Sequence, residues 1–152
     1  MKISKKFEPL INGLAAGFVI AILALLTFES PFGVWLMFSF GSSALIVFVF
    51  HDSEFAQPRN IFFGHLLAIC IGILINSLLG VSFFSLGLSV ALMMYLKIIH
   101  PPAAANPLIA IFADVSYDFI LFPVIAGSII LILLSILINK FLFKRKYPKR
   151  FI

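Results

Sequence analysis

Apolar residues run through this 152-residue chain almost without relief, and the polar positions gather into a few short breaks. A helix needs roughly 17–25 apolar residues to cross the hydrocarbon of a bilayer. Four runs meet that length: 11–28, 32–50, 61–80 and 120–143. A fifth, 83–99, is at the short end, and 102–113 is too short to cross as a plain helix at about 1.5 Å per residue. The breaks fall at 29–31, 51–60, 80–82, 100–102 and 114–118. The first run follows a basic start and resembles a signal peptide. It is longer than a typical apolar core of one and leads straight into a second run, so we read it as an uncleaved span.

Charge decides whether 102–113 crosses. Lys2, Lys5 and Lys6 lie at one end, and Lys140, Lys144, Arg145, Lys146, Lys149 and Arg150 at the other. Lys and Arg concentrate on the cytoplasmic side of membrane proteins. Five crossings would force one basic cluster across the bilayer. Six place both termini, Arg59 and Lys97 on the cytoplasmic side, with Glu29, Asp114 and Asp118 opposite. Six is therefore expected, the sixth being a composite. Residues near 98–102 enter as non-helical backbone and a helix starts near Ala103. Such backbone is tolerated at membrane depth only where protein or a water-filled cavity satisfies it.

A shift of 63 positions aligns Gly17 with Gly80, Leu45 and Ile46 with Leu108 and Ile109, Gly64 with Gly127 and Asn76 with Asn139. Three crossings per half make the halves insert with opposite orientation, the plan of many transporters with a site near the midplane. The expected architecture is an all-α polytopic bundle of five to six membrane segments. Repeat one covers about 10–73, repeat two about 74–143, and a basic cytoplasmic tail 144–152. Gly41-Ser42-Ser43 then corresponds to Ala104-Ala105-Asn106, and two helix N-termini with unpaired N–H groups face each other, favourable to an anion.

Composition agrees: 62% of residues are apolar and 11% charged, against about 45–50% and about 25% in globular domains. Terminal basic clusters flanking apolar runs are topology signals that also attract anionic headgroups, so nucleic acid is not the expected partner of the +5 net charge. Cys70 is the sole cysteine, so no disulfide framework exists. His51, His65 and His100 lack metal-ligand spacing and no carboxylate lies within a span, so neither enzyme activity nor a cofactor is expected.

Three blocks carry the candidate chemistry: Gly41-Ser42-Ser43-Ala44, then Ala56 to His65, then His100-Pro101-Pro102-Ala103-Ala104-Ala105-Asn106-Pro107-Leu108. In this order they resemble the signature of the HPP integral membrane family, named for its His-Pro-Pro triplet. The resemblance implies a small multi-span protein; some family members are linked to nitrite transport.

Pro101 and Pro102 lack backbone donors and hold an extended approach, and Pro102 suits a first helical position. His100 can meet an anion when protonated, pass a proton, or stay neutral and bond a backbone carbonyl. Arg59 either collects anions, snorkels to headgroups, or pairs with Asp52 or Glu54, while Asn60 opens the same span. Gly64, Ala68, Gly72 and Asn76 recur every four residues as a face for close packing, turning His65 inward. Asn76 and Asn139 are expected to hydrogen-bond between helices, and Ser42, Ser43 and Asn106 to cap helices while offering donors.

The expected function is a small-anion transporter or channel, with Ser42, Ser43, Arg59, Asn60, His65, His100, Pro101, Pro102, Ala105 and Asn106 as substrate-binding residues. The expected setting is a plasma membrane of the bacterial inner-membrane type, and a homodimer would bury the bundle's faces better. The alternative from another class is a non-transporting membrane scaffold or partner subunit.

Overall fold

A computed structural model describes residues 4–31, 33–80 and 82–150; Lys2, Phe32 and the last two tail residues fall outside that range. The regular elements among the described residues are all helical, with no strands. Six α-helices follow in order: α1 (Glu8–Glu29), α2 (Ser39–Val49), α3 (Pro58–Leu79), α4 (Phe84–Tyr95), α5 (Asn106–Phe112) and α6 (Ala126–Phe141). Three helical stretches are long and apolar enough to cross a membrane: Glu8–Glu29, Pro58–Leu79 and Ile120–Phe141. Three shorter apolar ones, Ser39–Val49, Phe84–Tyr95 and Pro101–Phe112, complete the bundle.

The second apolar run is therefore not one long helix. Residues 33–37 are irregular, and α2 contributes 11 residues. Thr27 of α1 supports this approach, its Oγ1 accepting from the backbone N–H groups of Trp35 and Leu36, each at 3.0 Å. The last run is also interrupted, because Phe122 leaves helical geometry (φ −128°, ψ 118°) beside Pro123. Proline removes a donor and clashes with the preceding turn.

α3 is the central element, in contact with α4, α5, α6 and the 3₁₀ turn Pro101–Ala105. Its small residues allow this. A Cβ on Gly64 would lie 2.9 Å from His100 Cβ and 3.2 Å from the Ile98 carbonyl, and one on Gly72 would lie 2.7 Å from Pro107 Cα. Ala68 between them is fully buried. Around α3, Val19, Leu23, Phe40, Phe48, Ile61, Ile69 and Leu131 form the main core. The outer faces are apolar too, with Leu14, Phe18, Leu25, Leu78, Leu133 and Leu137 exposed. Those surfaces fit a lipid environment.

One end of the bundle gathers the basic residues. The Arg145 guanidinium donates to the Phe48 carbonyl (2.8 Å) and to Glu8 (2.6 Å). Tyr147 donates to the Ala56 carbonyl at 2.7 Å, and Lys149 pairs with Asp52 at 2.9 Å. The Gln57 side-chain carbonyl accepts from the backbone N–H of Lys149 at 2.8 Å. Residues 144–150 are thus strapped onto the 51–57 loop. Burial raises the proton affinity of the Tyr147 hydroxyl, keeping it a donor.

Gly72→Ala should lower stability by about 1–3 kcal/mol, since the rigid α5 backbone must move, whereas Gly17→Ala, with open space around it, should not destabilise; equal melting temperatures would refute the close packing. Burial first, then Arg145, hold the His51 imidazole below its ordinary value of 6.5, with Lys149 acting likewise and Asp52 opposing. A lowered folded-state proton affinity costs stability as pH falls below the ordinary value. Wild-type melting temperature should therefore drop more steeply than that of His51→Asn as pH falls from about 7 towards about 5. Parallel curves would contradict a proton affinity lowered at this ring by folding.

Candidate functional site

The His-Pro-Pro segment is led in by backbone that α3 holds in place. Asn60 donates to the Ile99 carbonyl at 2.9 Å, and the Arg59 guanidinium reaches the Leu96 carbonyl at 3.5 Å. His100 is extended (φ −135°, ψ 99°), and the 3₁₀ turn and α5 follow. Earlier in the chain, α2 starts at Ser39 after its own irregular approach. The two helix starts meet: Ser39 Oγ donates to Asn106 Oδ1 at 2.9 Å.

Behind that contact, Ser43 Oγ lies 2.9 Å from His65 Nε2 and 2.8 Å from His100 Nε2. All three side chains, with Asn106, are fully buried. The two rings stand edge to face, their centroids 4.9 Å apart, and Phe40 covers His65 at 5.2 Å.

Two backbone carbonyls, which can only accept, fix the protons between them. His100 Nδ1 lies 2.7 Å from the Phe55 carbonyl, so Nδ1 carries a hydrogen. In a neutral ring Nε2 is then an acceptor, and Ser43 donates to it. The Ser43 oxygen in turn accepts from His65 Nε2–H. At the other end, Asn106 Nδ2 donates to the His65 carbonyl at 3.0 Å and to His65 Nδ1 at 3.1 Å, which leaves Nδ1 as the lone pair. The hydrogen bonds form one directed chain from Ser39 through Asn106, His65, Ser43 and His100 to the Phe55 carbonyl.

Beside this chain runs a groove of about 690 Å³, open on one side. Phe38, Ser39, Ser42, Pro101, Ala105 and Leu108 are among its lining residues. Ser39 both lines the groove and bonds Asn106. A second, polar cleft at the basic end brings together Glu54, Gln57, Arg59, Asn60, Lys97 and Arg150.

The ten sequence-predicted residues therefore divide into three places. Ser43, His65, His100 and Asn106 join in one buried network. Ser42, Pro101, Pro102 and Ala105 line the groove, whereas Arg59 and Asn60 sit at the basic end. His100 does bond a backbone carbonyl, that of Phe55, through Nδ1.

Several expectations are corrected. Because α2 begins at Ser39, Ser42 and Ser43 lie inside its first turns, and neither they nor Asn106 caps a helix. Asp52 and Glu54 pair with Lys149 and Arg150, not Arg59, because residues 144–150 fold back onto their loop while Arg59 points to the Leu96 carbonyl. Asn139 donates to the Ser135 carbonyl of its own helix, not across to another. Asn76 is half-buried.

Sequence reasoning missed Ser39 and the Phe55 carbonyl. Ser39 sits four residues before Ser43 on one helical face, a spacing that could have revealed it. A backbone carbonyl carries no sequence signal. Ser43→Ala strands two buried nitrogens and should cost about 1–3 kcal/mol in unfolding measurements, whereas Ser42→Ala on the open groove wall should cost under about 0.5 kcal/mol. Equal costs would contradict the bridge.

The comparisons with known proteins agree with this architecture. Two transmembrane proteins of Dictyostelium discoideum are similar to the chain, one 34% identical over 72% of it and the other 32% identical over 76%. The matched regions are 43% and 41% of those proteins, so the chain spans about two fifths of the length of the relatives it matches. No solved structure matches it. The profile of the HPP transmembrane region matches residues 2–148, which takes in both helix starts, the Ser43 bridge and the His-Pro-Pro turn. This multi-pass membrane protein belongs to the HPP transmembrane family.

Proposed function

We propose that the protein is a small-anion transporter or channel, with a nitrite-like monovalent anion as its cargo, and not an enzyme. The observation that carries this reading is the meeting of two helix starts at a groove, with two fully buried histidines directly behind its wall. An ionisable side chain inside a membrane bundle is costly and marks function by default. In this reading Ser39 and Ser42 offer hydroxyl donors to the anion and the apolar remainder of the groove strips its water.

Six crossings and an inverted repeat belong to the same reading. The 2.6 Å contact of Glu8 with Arg145 supports an even number of crossings, because it joins the two ends of the chain. Displaced by 63 positions, Ser39–Val49 falls on residues 102–112 and Pro58–Leu79 on 121–142, close to the bounds of Pro101–Phe112 and Ile120–Phe141. The 98–105 segment then sits within the bilayer, and the basic end faces the cytoplasm of a bacterial-type plasma membrane.

A second reading, a non-transporting scaffold or partner subunit, draws on one observation. Pro101 and Pro102 have no N–H, and the Ala103 N–H is already bonded to the His100 carbonyl at 2.9 Å, so this helix start has few donors to spare.

Reconstituted into liposomes, the wild type is expected to carry nitrite well above protein-free vesicles. His100→Ala and Ser43→Ala should reduce that flux at least about tenfold, the loss produced by about 1.4 kcal/mol, whereas Ser77→Ala, exposed and bonded within its own helix, should leave it unchanged. Background flux for all four proteins would overturn transport, and a stoichiometric co-purifying membrane partner would then favour the scaffold.

A further inference from the structure

The Ser43 hydroxyl has a third neighbour, the Ser39 carbonyl at 3.1 Å. A hydroxyl gives one hydrogen and accepts two, and here its three neighbours are His65 Nε2, His100 Nε2 and that carbonyl. With both rings neutral, Ser43 donates to His100 Nε2 and accepts from His65 Nε2–H. If one proton adds to the lone pair of His100 Nε2, Ser43 accepts from both rings and turns its own hydrogen to the Ser39 carbonyl. His100 Nδ1–H stays on Phe55 and the Asn106 contacts are unchanged. Both states satisfy every polar atom of the bridge, and only one hydroxyl hydrogen moves.

We propose that Ser43, His65 and His100 form a binding site for a single proton, and that this proton is the ion that travels with the anion. The inference rests on the transport reading and names its coupling ion. The proton comes from water and returns to water, adding to and leaving His100 Nε2, and no other covalent bond changes. A second proton would have to displace Asn106, whose amide donates to His65 Nδ1, so the site closes at one.

The loaded site holds a positive charge, and among the described residues no carboxylate hydrogen-bonds it: the loop that supplies the Phe55 carbonyl carries His51, Asp52 and Glu54, and the two carboxylates pair with Lys149 and Arg150. α2 and α5 bring no titratable side chain, and α3 brings His65 itself and, further along, the half-buried Cys70. Arg59 of α3, Lys97, Glu54 and Arg150 face the polar cleft at the basic end, and none hydrogen-bonds His100. A buried charge without a partner is strongly unfavourable. The groove can supply the counter-ion from one residue away, since Ser39 lines it while its carbonyl takes the Ser43 hydrogen. Proton and anion each favour the other's binding, and by linkage the coupling is reciprocal. One proton with one monovalent anion is an electroneutral load.

The test is a ¹⁵N-histidine NMR titration in lipid nanodiscs on a His51→Asn background, which leaves these two rings as the only histidines. The expected result is one proton taken up by the pair, with the imidazolium signal on His100. Sodium nitrite or sodium nitrate should raise the midpoint by about one pH unit, equivalent to tenfold tighter anion binding to the loaded state, and Ser43→Ala should abolish that rise. Independent uptake of two protons, no uptake, or a midpoint indifferent to both anions would overturn the proposal. Liposome experiments with an internal pH dye separate the two claims. Anion flux without proton movement overturns the coupling and leaves transport standing. An anion-sensitive one-proton titration without flux overturns transport and leaves the site standing.

Discussion

A polar group held away from water in an apolar bundle has to find its partner within the protein, and two imidazoles and a non-helical turn make that demand here at one place. The solution is a single hydroxyl between the rings, closed at one end by the Phe55 carbonyl and at the other by Asn106. Everything around it serves that closeness. Gly64 lets the His-Pro-Pro turn lie against α3, where a Cβ would press on the His100 Cβ at 2.9 Å. Asn60 ties down the Ile99 carbonyl, and the prolines bring no donors that would need partners.

The basic end is mechanically joined to the same network. Phe55 accepts from His100, and its neighbours Ala56 and Gln57 are the residues gripped by Tyr147 and Lys149 of the strap. The basic tail, read from the sequence as a topology signal, is thus also a clamp on the loop whose Phe55 carbonyl meets His100. Charge that reads as topology in the sequence also carries structure, because Arg145 satisfies the Phe48 carbonyl in the last turn of α2 while pairing with Glu8.

Much of this was legible in the residues. Apolar run lengths located the three long helices, and the His-Pro-Pro triplet marked the break between α4 and α5; the prolines, expected to hold an extended approach, instead open a 3₁₀ turn after an extended His100, and the α-helix starts at Asn106. The four-residue spacing of Gly64, Ala68 and Gly72 foretold the tight face of α3, and with it a buried His65. What stayed hidden depended on which partners the fold brings together. Asp52 and Glu54 were equally available to Arg59 by sequence, and only the fold-back of the chain end gives them to Lys149 and Arg150. The shortening of the second run to α2 was hidden too, because an irregular stretch satisfied by the Thr27 hydroxyl is as apolar as the helix it replaces. The meeting of Ser43 with both histidines joins residues 22 and 57 positions apart, and no local pattern encodes that.

The central claim is that one hydroxyl holds two buried rings in opposite proton arrangements, and ring tautomers report on it most directly. Solid-state NMR of the ¹⁵N-histidine-labelled protein in bilayers at mildly alkaline pH should show His100 protonated at Nδ1 and His65 at Nε2. Rings that share one tautomer, or that interconvert freely between both, would contradict the account.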